Sequence, residues 1–243
     1  MQKISQKYLK WIKSLHQKKN RDQERCFIVE GIKICHEVMD NHAERIKSII
    51  CLNSYTEDIP EILQAKVCTI SANELTRIST LKTPNSILLV LHKADDTNYN
   101  PNQKTIILDD VQDPGNLGTL IRTADWFDIH QFVCSKKTAD MFNAKVLQST
   151  MGSFLRVRIW YTDLSEFLKE NNLTIGGALL DGAVFEGKDL EQMDALILGN
   201  ESRGISTEIK TMINMPLKIE GSGKAESLNV AIAGAIFMQH WAK

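Results

Sequence analysis

The chain has little that would serve a secreted, membrane-bound or fibrous protein. Its 243 residues include only 5 cysteines, 5 prolines and 13 glycines. The cysteine count is odd and lacks any C-x-x-C pair, so neither a disulfide framework nor a zinc site is expected. No apolar run approaches the roughly 18 residues of a membrane span, and no apolar segment follows the N-terminal lysines as it would in a secretory signal. These absences predict a cytoplasmic protein without a metal.

What is present is an ordinary globular composition. Apolar residues make up 43% of the chain and charged residues 24%, which excludes wholesale disorder. Short, mostly apolar segments that read as strands, such as residues 46–52 and 67–70, alternate with helical patterns, such as residues 57–65. Strands that alternate with helices indicate an α/β layer arrangement.

A break in this alternation predicts two domains. The stretch 92–104 is polar and turn-rich and carries Pro101, and the strand and helix pattern restarts at Thr105. We therefore predict a smaller α/β domain over residues 1–95, a linker over 96–104 and a second α/β domain over 105–243.

The charge of the chain is unevenly spread. Residues 1–25 hold eight basic and two acidic side chains, a balance of +6, whereas the remaining residues hold 21 basic and 28 acidic ones, a balance of −7. Apolar residues at helical spacing predict an amphipathic helix over 4–17 with lysines on its other side. This basic segment suits a polyanion, although a solvated helix face is the plain alternative.

Three polar, glycine-bearing loops in the second domain each follow a short apolar run. They cover residues 109–118, 198–206 and 219–230. Ligands of open parallel sheets bind beyond the carboxyl ends of the strands, so these loops are the natural candidate site.

Generic motifs within these loops fail on inspection. Gly221-Ser222-Gly223-Lys224 resembles the end of a phosphate-binding P-loop, but the required Ser or Thr after the lysine is replaced by Ala225. The same glycines do not complete a dinucleotide fingerprint, because Glu226 stands at the third glycine position. The glycines around Ser202 do not form a nucleophile elbow.

Taken together, the loops resemble a known family. The runs LDDVQDPGNLGTLIRTADWF, LGNESRGIS and IEGSGKAESLNVAIAGAIF are similar to the three ordered motifs of the SpoU (TrmH) RNA 2′-O-methyltransferases of the SPOUT superfamily. In the N-terminal part, Lys18-Lys19-x-Arg21 and the later run FIVEG resemble that family's substrate-binding domain. The resemblance covers nearly the whole chain.

The resemblance implies S-adenosylmethionine as methyl donor and an α/β catalytic domain with a deep C-terminal trefoil knot. It implies that the cofactor is held largely through backbone groups, and the matching cofactor positions are Leu179, Gly199, Ile219 and Leu228. The matching catalytic positions are Asn116, Arg122, Glu201, Ser227 and Asn229. The RNA contacts are expected at Lys7, Lys10, Lys18, Lys19 and Arg21. Many members have Ile-Pro where this chain has Ile219-Glu220.

These residue types suit methyl transfer to a ribose hydroxyl. Asparagine and serine can hold ribose or cofactor by neutral hydrogen bonds without repelling a phosphodiester. Arg122 can bind a phosphate or stabilise the developing oxyanion. Because arginine keeps its proton in proteins, we prefer this electrostatic role to that of a general base, and the proton acceptor stays open.

Each residue also has a plain structural alternative. Asn116 or Ser227 could cap a helix, Arg122 could be a surface arginine, and Glu201 a solvated loop acid. Arg203 and Lys224 are equally compatible with an RNA contact and a solvated charge. The aromatic residues are expected in the core or a subunit interface rather than as base-stacking platforms, and these are Trp126, Phe127 and Trp241.

We therefore expect a homodimeric enzyme that methylates a ribose 2′-hydroxyl in structured RNA. Ribosomal RNA is the expected substrate and transfer RNA the alternative. A non-catalytic RNA-binding protein that keeps the fold and an enzyme that methylates bases are the rival hypotheses.

Overall fold

The computed structural model describes residues 2–94 and 98–242; the first part of the predicted linker, at residues 96 and 97, lies outside the described residues. The strands are β1 (Gln2–Lys3), β2 (Cys26–Glu30), β3 (Ile46–Leu52), β4 (Val67–Ile70), β5 (Ile87–His92), β6 (Thr105–Asp109), β7 (Gln131–Ser135), β8 (Arg158–Thr162), β9 (Ile175–Val184), β10 (Ala195–Gly199) and β11 (Met215–Lys218). The α-helices are α1 (Gln6–Ser14), α2 (Lys18–Glu24), α3 (Ile32–Asn41), α4 (Ala72–Ile78), α5 (Pro114–Trp126), α6 (Ala144–Thr150), α7 (Leu164–Glu170), α8 (Gly187–Glu191), α9 (Thr207–Lys210) and α10 (Val230–Trp241). This alternation confirms the predicted α/β class.

The chain forms two compact units. One comprises Met1–Asp96 with Phe142–Gly152, and the other comprises Thr97–Met141 with Ser153–Lys243. Helix α6 therefore lies with the first unit, where it contacts β2, although its sequence position is within the predicted second domain. Sequence order alone gave no sign of this excursion.

The first unit is built on a five-stranded mixed sheet in the order β1-β4-β3-β5-β2. Strands β1, β4 and β3 run parallel, while β5 is antiparallel to both of its neighbours, β3 and β2. Fully buried side chains of the sheet, such as Ile50 and Leu88, pack with Ile12 and Leu15 from the N-terminal helix segment. The apolar stripe predicted for that segment is thus its core-facing side.

The predicted helix over 4–17 is shorter than expected. Ser5 caps α1 by accepting a hydrogen bond from the backbone N–H of Tyr8 at 3.2 Å, and the helix ends at Ser14. The short helix α2 that follows was not predicted.

Arg21 of α2 does not have the position expected of an RNA contact. Only 4% of its surface is exposed, and its guanidinium donates to the carbonyl oxygens of Leu15 and His16 at 2.9 and 2.8 Å. These carbonyls follow the end of α1, where helices leave acceptors without intrahelical partners. The structure therefore gives Arg21 the role of joining α1 to α2.

The second unit is built on a six-stranded parallel sheet in the order β11-β9-β10-β6-β7-β8. The central strands are continuous apolar runs, as expected for strands covered on both faces. Because all six strands are parallel, their carboxyl ends meet at one edge of the sheet, where the three candidate loops emerge.

Three local predictions differ from the structure. The helix predicted over 57–65 is two 3₁₀ segments, Asn53–Asp58 and Glu61–Lys66, because Pro60 between them has no N–H for a continuous helix. Residues 174–179 by themselves predict a strand that ends at Leu179, whereas β9 extends from Ile175 to Val184. The sequence predicts a last helix from Ser227 to Trp241, but this helix begins at Val230 with Asn229 as its N-cap.

Candidate active site

The first two candidate loops leave neighbouring strands in register. Strands β6 and β10 pair so that Asp109 is opposite Gly199 at their carboxyl ends. The Asp109 carboxylate accepts a hydrogen bond from the backbone N–H of Ser206 at 2.7 Å. This contact ties the far end of the second loop to the strand that begins the first.

The second loop is a tight turn over the end of β10. Asn200 and Gly204 exchange backbone hydrogen bonds of 3.0 and 2.9 Å, and the Asn200 side chain accepts from the backbone N–H groups of Ser202 and Arg203. A Cβ atom on Gly199 would lie 2.3 Å from the backbone of Gly204. Glycine at position 199 is therefore required for the turn to fold back this closely.

Glu201, at the tip of this turn, binds the start of α5. Its carboxylate accepts from the backbone N–H groups of Gln112 and Asp113 at 3.3 and 3.1 Å and from the Asn116 amide at 2.9 Å. Partial burial favours the neutral acid, but these hydrogen bonds outweigh it and lower the pKa of Glu201. Glu201 is therefore an ionised acceptor that fixes the first loop.

Asn116 passes this interaction on to the third loop. Its side-chain oxygen accepts from the amide of Asn229 at 2.9 Å, and the Asn229 oxygen accepts from the first backbone N–H groups of α10. The ionised Glu201 carboxylate can only accept hydrogen bonds, and the first backbone N–H groups of α10 can only donate them. The amide nitrogen of Asn116 must therefore face Glu201, and the amide oxygen of Asn229 must face α10. One residue from each predicted motif is thus joined in a single network.

The same network identifies the residue that caps α5. The carboxylate of Asp113 accepts from the backbone N–H of Asn116 at 2.9 Å, and Pro114 occupies the first helical turn. Asn116 is therefore not the N-cap. The Asp-Pro pair before a helix is a known start signal and could have identified Asp113 from the sequence.

Arg122 and Ser227 stand outside this network. Both are exposed, and neither makes a side-chain hydrogen bond or ion pair within residues 2–94 and 98–242. Arg122 lies on α5 and Ser227 in the loop before α10, so both belong to elements that the network fixes. Their side chains are free to meet a ligand.

The predicted cofactor positions lie in, or in the loop after, three neighbouring strands, β9, β10 and β11. Gly199 ends β10, and Ile219 and Leu228 lie in the loop after β11. Leu179 is not at a strand end: Gly177 pairs with Pro216 and Ala183 with Leu217, so residues 178–182 bulge out of β9. The bulge and the two loops present apolar side chains at one edge, and Leu228 and Leu180 are exposed there.

The third loop also offers unpaired backbone groups. Within the described chain, the backbone N–H groups of residues 220–228 donate no hydrogen bond. Exposed apolar side chains beside open backbone donors suit an adenosine-containing cofactor held through the main chain. The chain thus offers a fitting set of groups for S-adenosylmethionine at this edge.

The predicted RNA contacts of the N-terminal helices divide into two kinds. Lys7 and Lys10 on α1, and Lys18 and Lys19 on α2, have exposed side chains. They are compatible with binding a polyanion, whereas the buried Arg21 is not.

Two further residues of the candidate loops, Asn200 and Asp110, were not singled out by the sequence analysis. Asn200 donates to the carbonyl oxygen of Asp110 at 2.8 Å and so links the first two loops. Asp110 itself has a left-handed backbone with φ of 59°. Such a conformation has no reliable sequence signal at an aspartate.

The aromatic predictions divide as well. Trp241 is buried and its indole N–H donates to the carbonyl oxygen of Met193 at 3.2 Å. Trp126, at the end of α5, is 84% exposed and is not a core residue.

In the described parts of the chain, no group of three His, Cys, Asp or Glu residues could hold a metal ion. None of the helices in these parts has the length and apolar character of a membrane span.

Comparison with known proteins agrees with this geometry. Residues 103–239 match the SpoU rRNA Methylase family, and residues 6–89 match the MRM3-like substrate binding domain. The chain is 34% identical over 242 residues to the 23S rRNA (guanosine(2553)-2'-O)-methyltransferase RlmP of Bacillus subtilis, covering 97% of this chain and 96% of that protein.

Solved structures show the same similarity. A protein from Porphyromonas gingivalis, described as of the TrmH family of RNA methyltransferases, has a TM-score of 0.85 with 33% identity and 98% coverage of both chains. The AdoMet-bound rRNA methyltransferase from Sinorhizobium meliloti has a TM-score of 0.85 with 25% identity, covering 99% of this chain and 96% of that one. These similarities confirm the predicted enzyme class and S-adenosylmethionine as cofactor. This chain belongs to the SpoU rRNA methylase family.

Proposed function

We propose that this enzyme transfers a methyl group from S-adenosylmethionine to a ribose 2′-hydroxyl of ribosomal RNA. The observation that carries the proposal is the hydrogen-bonded network of Glu201, Asn116 and Asn229, which joins three distant segments at one sheet edge. The name of the Bacillus subtilis relative, a 2'-O-methyltransferase of 23S rRNA, supports the same reaction and substrate class.

The network leaves groups available for the reaction. Each asparagine amide has two N–H groups, and the described contacts of Asn116 and Asn229 use one each. The second N–H of each can donate to ribose or phosphate oxygen, as can the Ser227 hydroxyl. S-adenosylmethionine supplies the methyl group, and Leu179, Gly199, Ile219 and Leu228 are the positions we propose to hold it.

Arg122 is the residue we propose to stabilise the ribose oxyanion. Its guanidinium is exposed and has no partner in the part of the chain that is described. A cation without a competing carboxylate is suited to negative charge that develops in the transition state. Glu201 acts through Asn116 and is a positioning residue.

We further propose a homodimer in which the outer face of α5 contributes to the subunit contact. Trp126 is highly exposed on this face, and Arg122 lies one helical turn earlier on the same side. A contact over Trp126 would therefore bring Arg122 close to the partner. Trp126→Glu should give a monomer in light scattering, whereas Ile62→Glu, also at an exposed apolar residue, should remain dimeric. A dimeric Trp126→Glu protein would contradict this contact.

The remaining expectations complete the proposal. We propose the catalytic domain over 105–243, the substrate-binding domain over 1–95 and the linker over 96–104. Helix α6 falls within 105–243 in sequence but packs in the first unit. The trefoil knot of the family stays a prediction for this chain. Ribosomal RNA as substrate favours a cytoplasmic location, with Lys7, Lys10, Lys18 and Lys19 binding the RNA backbone.

Nucleoside mass spectrometry tests the reaction. Purified enzyme, labelled S-adenosylmethionine and total RNA from a strain lacking the gene should yield a 2′-O-methylated nucleoside in the ribosomal RNA fraction. Label in transfer RNA alone would favour the alternative substrate, and a methylated base would contradict ribose chemistry. No label in any RNA would favour the non-catalytic binding protein.

A substitution tests the role of Arg122. Arg122→Ala should abolish turnover and leave the affinity for S-adenosylmethionine within about twofold, because the guanidinium is assigned to the ribose side. Arg158→Ala, which removes another exposed arginine on β8, is the matched control and should keep its activity. Loss of cofactor affinity alone in Arg122→Ala would contradict the assignment.

A further inference from the structure

Asp110 directly follows β6, and groups next to β7 and β10, the two neighbours of β6 in the sheet, hold it in place. Its backbone N–H donates to the Ser135 hydroxyl at 3.0 Å, and that hydroxyl donates to the Asp110 carboxylate at 2.7 Å. On the other side, the Asp110 carbonyl oxygen accepts from the Asn200 amide at 2.8 Å. Ser135 ends β7 and Asn200 follows β10, so the left-handed backbone of Asp110 is held from both neighbours of β6.

The second carboxylate oxygen of Asp110 faces two cations. The guanidinium of Arg203, from the loop after β10, lies 3.5 Å away, and the ammonium of Lys137, from the loop after β7, lies 3.8 Å away. Both distances are measured to the same oxygen, so the two cationic nitrogens are at most 7.3 Å apart. The side chain of Asp110 is only 17% exposed, whereas those of Arg203 and Lys137 are 67% and 74% exposed.

The triad of Asp110, Lys137 and Arg203 has a net charge of +1, because two cations face one carboxylate. One carboxylate serves two cations, and within the described residues neither cationic head has another partner. Exposed ion pairs at these distances contribute little to stability, so stabilisation does not account for the arrangement. A single added anion would balance the charge of the triad.

The triad lies beside the catalytic network. The Asn200 amide nitrogen that contacts Asp110 is also 3.4 Å from the Glu201 carboxylate, and the Asn200 side-chain oxygen accepts from the backbone N–H of Arg203 at 3.1 Å. The backbone of Arg203 is therefore fixed by the same residue that connects the first two loops. An anion bound by Arg203 and Lys137 would sit next to the proposed ribose site.

We propose that Lys137 and Arg203, oriented by Asp110, bind one backbone phosphate of the RNA substrate near the target ribose. This proposal deepens the proposed function and rests on it. A phosphodiester has one negative charge and two free oxygens, so it can accept from both cations and leave the site neutral. The site would set the position of the RNA strand rather than read its sequence.

The test compares Lys137→Met, Arg203→Met and the double variant with Lys136→Met in the full-length enzyme. Lys136→Met removes a neighbouring charge that is also exposed and has no contact with Asp110. The double variant should raise the KM for a ribosomal RNA fragment about tenfold, with kcat and the affinity for S-adenosylmethionine within about twofold. Its slope of log affinity against log salt should fall by about one phosphate contact, not two, because both cations share one phosphate. Lys137→Arg, which keeps the positive charge, should have the KM of the unmodified enzyme.

Two results would overturn the proposal. One is that the double variant matches Lys136→Met in both KM and salt slope; the other is that it loses affinity for S-adenosylmethionine, whose carboxylate would then be the anion bound. Failure of the proposed function is seen separately, as the absence of methylated RNA with the unmodified enzyme. RNA binding can still be measured in that case by fluorescence anisotropy, with the same expected difference between variants.

Discussion

At the scale of single residues, the carboxylate of Glu201 connects the second candidate loop to the first. Three donors from the start of α5 converge on it, and their hydrogen bonds lower its pKa despite partial burial. An acid held ionised in this way is a poor proton donor at neutral pH. Its value lies in the fixed orientation of the Asn116 amide.

Glu201→Gln should therefore lower kcat strongly while protein stability falls by only roughly 1 kcal/mol, because the site is exposed to solvent. The replacement amide would turn a donor toward groups that are themselves donors. Methyl transfer to ribosomal RNA and urea denaturation measure the two effects. Glu208→Gln, at an exposed acid of α9, is the control and should retain activity; the same loss of kcat in both variants would contradict the positioning role.

The same carboxylate predicts a pH dependence of stability. Because the folded-state pKa of Glu201 lies below the ordinary value of a glutamate, the stabilisation is present at neutral pH and is lost as the pH falls through the ordinary value to the folded one. The difference in unfolding free energy between the unmodified protein and Glu201→Gln should therefore narrow from pH 7 to pH 4. Urea denaturation at both values measures it, and a difference that widens toward pH 4 would contradict the sign.

Gly199 allows another test at a single position. A Cβ atom there would collide with the backbone of Gly204 and Ile205 at 2.3 Å, so Gly199→Ala should displace the second loop, cost about 1–3 kcal/mol and weaken S-adenosylmethionine binding. Gly187→Ala is the matched control, because a Cβ atom at Gly187 meets nothing within 4 Å. Calorimetry with the cofactor and thermal denaturation should separate the two variants, and equal behaviour would show that the second loop tolerates a side chain.

At the scale of elements, the close approach of α10 to its neighbours supports the third loop. A Cβ atom on Gly234 would lie 2.5 Å from the Leu120 side chain of α5 and 2.9 Å from Leu198 of β10. Gly234→Ala should cost about 1–3 kcal/mol in chemical denaturation despite a better intrinsic helix propensity. Gln239→Ala, at an exposed position of the same helix, should be close to neutral. A stabilised Gly234→Ala protein would show that α10 can shift without cost.

Elements with a strong local signal were predictable, and those governed by distant contacts were not. The strands β3 and β4 match their predicted bounds because apolar residues predominate in both segments, interrupted only by Lys47, Ser48 and Thr69. The bulge of residues 178–182 depends on how β11 pairs with β9, and the place of α6 depends on its contact with β2. Neither relation has a counterpart in local propensity.

The candidate site shows the same division. The resemblance to the family motifs singles out Asn116, Glu201 and Asn229, and hydrogen bonds connect these three side chains in the structure. Which donor serves which acceptor, and which neighbouring residue caps α5, depend on geometry across 85 and 113 residues of sequence. Exposure similarly separates Arg21 from the four lysines, because burial of an arginine at the end of α1 is not visible in a basic sequence pattern.

At the scale of the whole molecule, the uneven charge predicts how salt affects RNA binding. Neutralising Lys7, Lys10, Lys18 and Lys19 with glutamine should weaken binding of ribosomal RNA and flatten its salt dependence, because fewer counterions are released. Replacing Lys188 and Lys210, two exposed lysines of the second unit, with glutamine is the control. Fluorescence anisotropy over a range of salt concentrations measures the slope of log affinity against log salt for both variants. An unchanged slope in the quadruple variant would indicate that these lysines form a solvated helix face and do not bind RNA.

The network of Glu201, Asn116 and Asn229 also has a consequence for refolding. Its members are 85 and 113 residues apart, and contacts of such long range form late because the intervening chain must first be ordered. A refolding intermediate with most of its helices and strands would therefore still be inactive. After dilution from denaturant, recovery of the far-ultraviolet circular dichroism signal should precede recovery of methyl transfer.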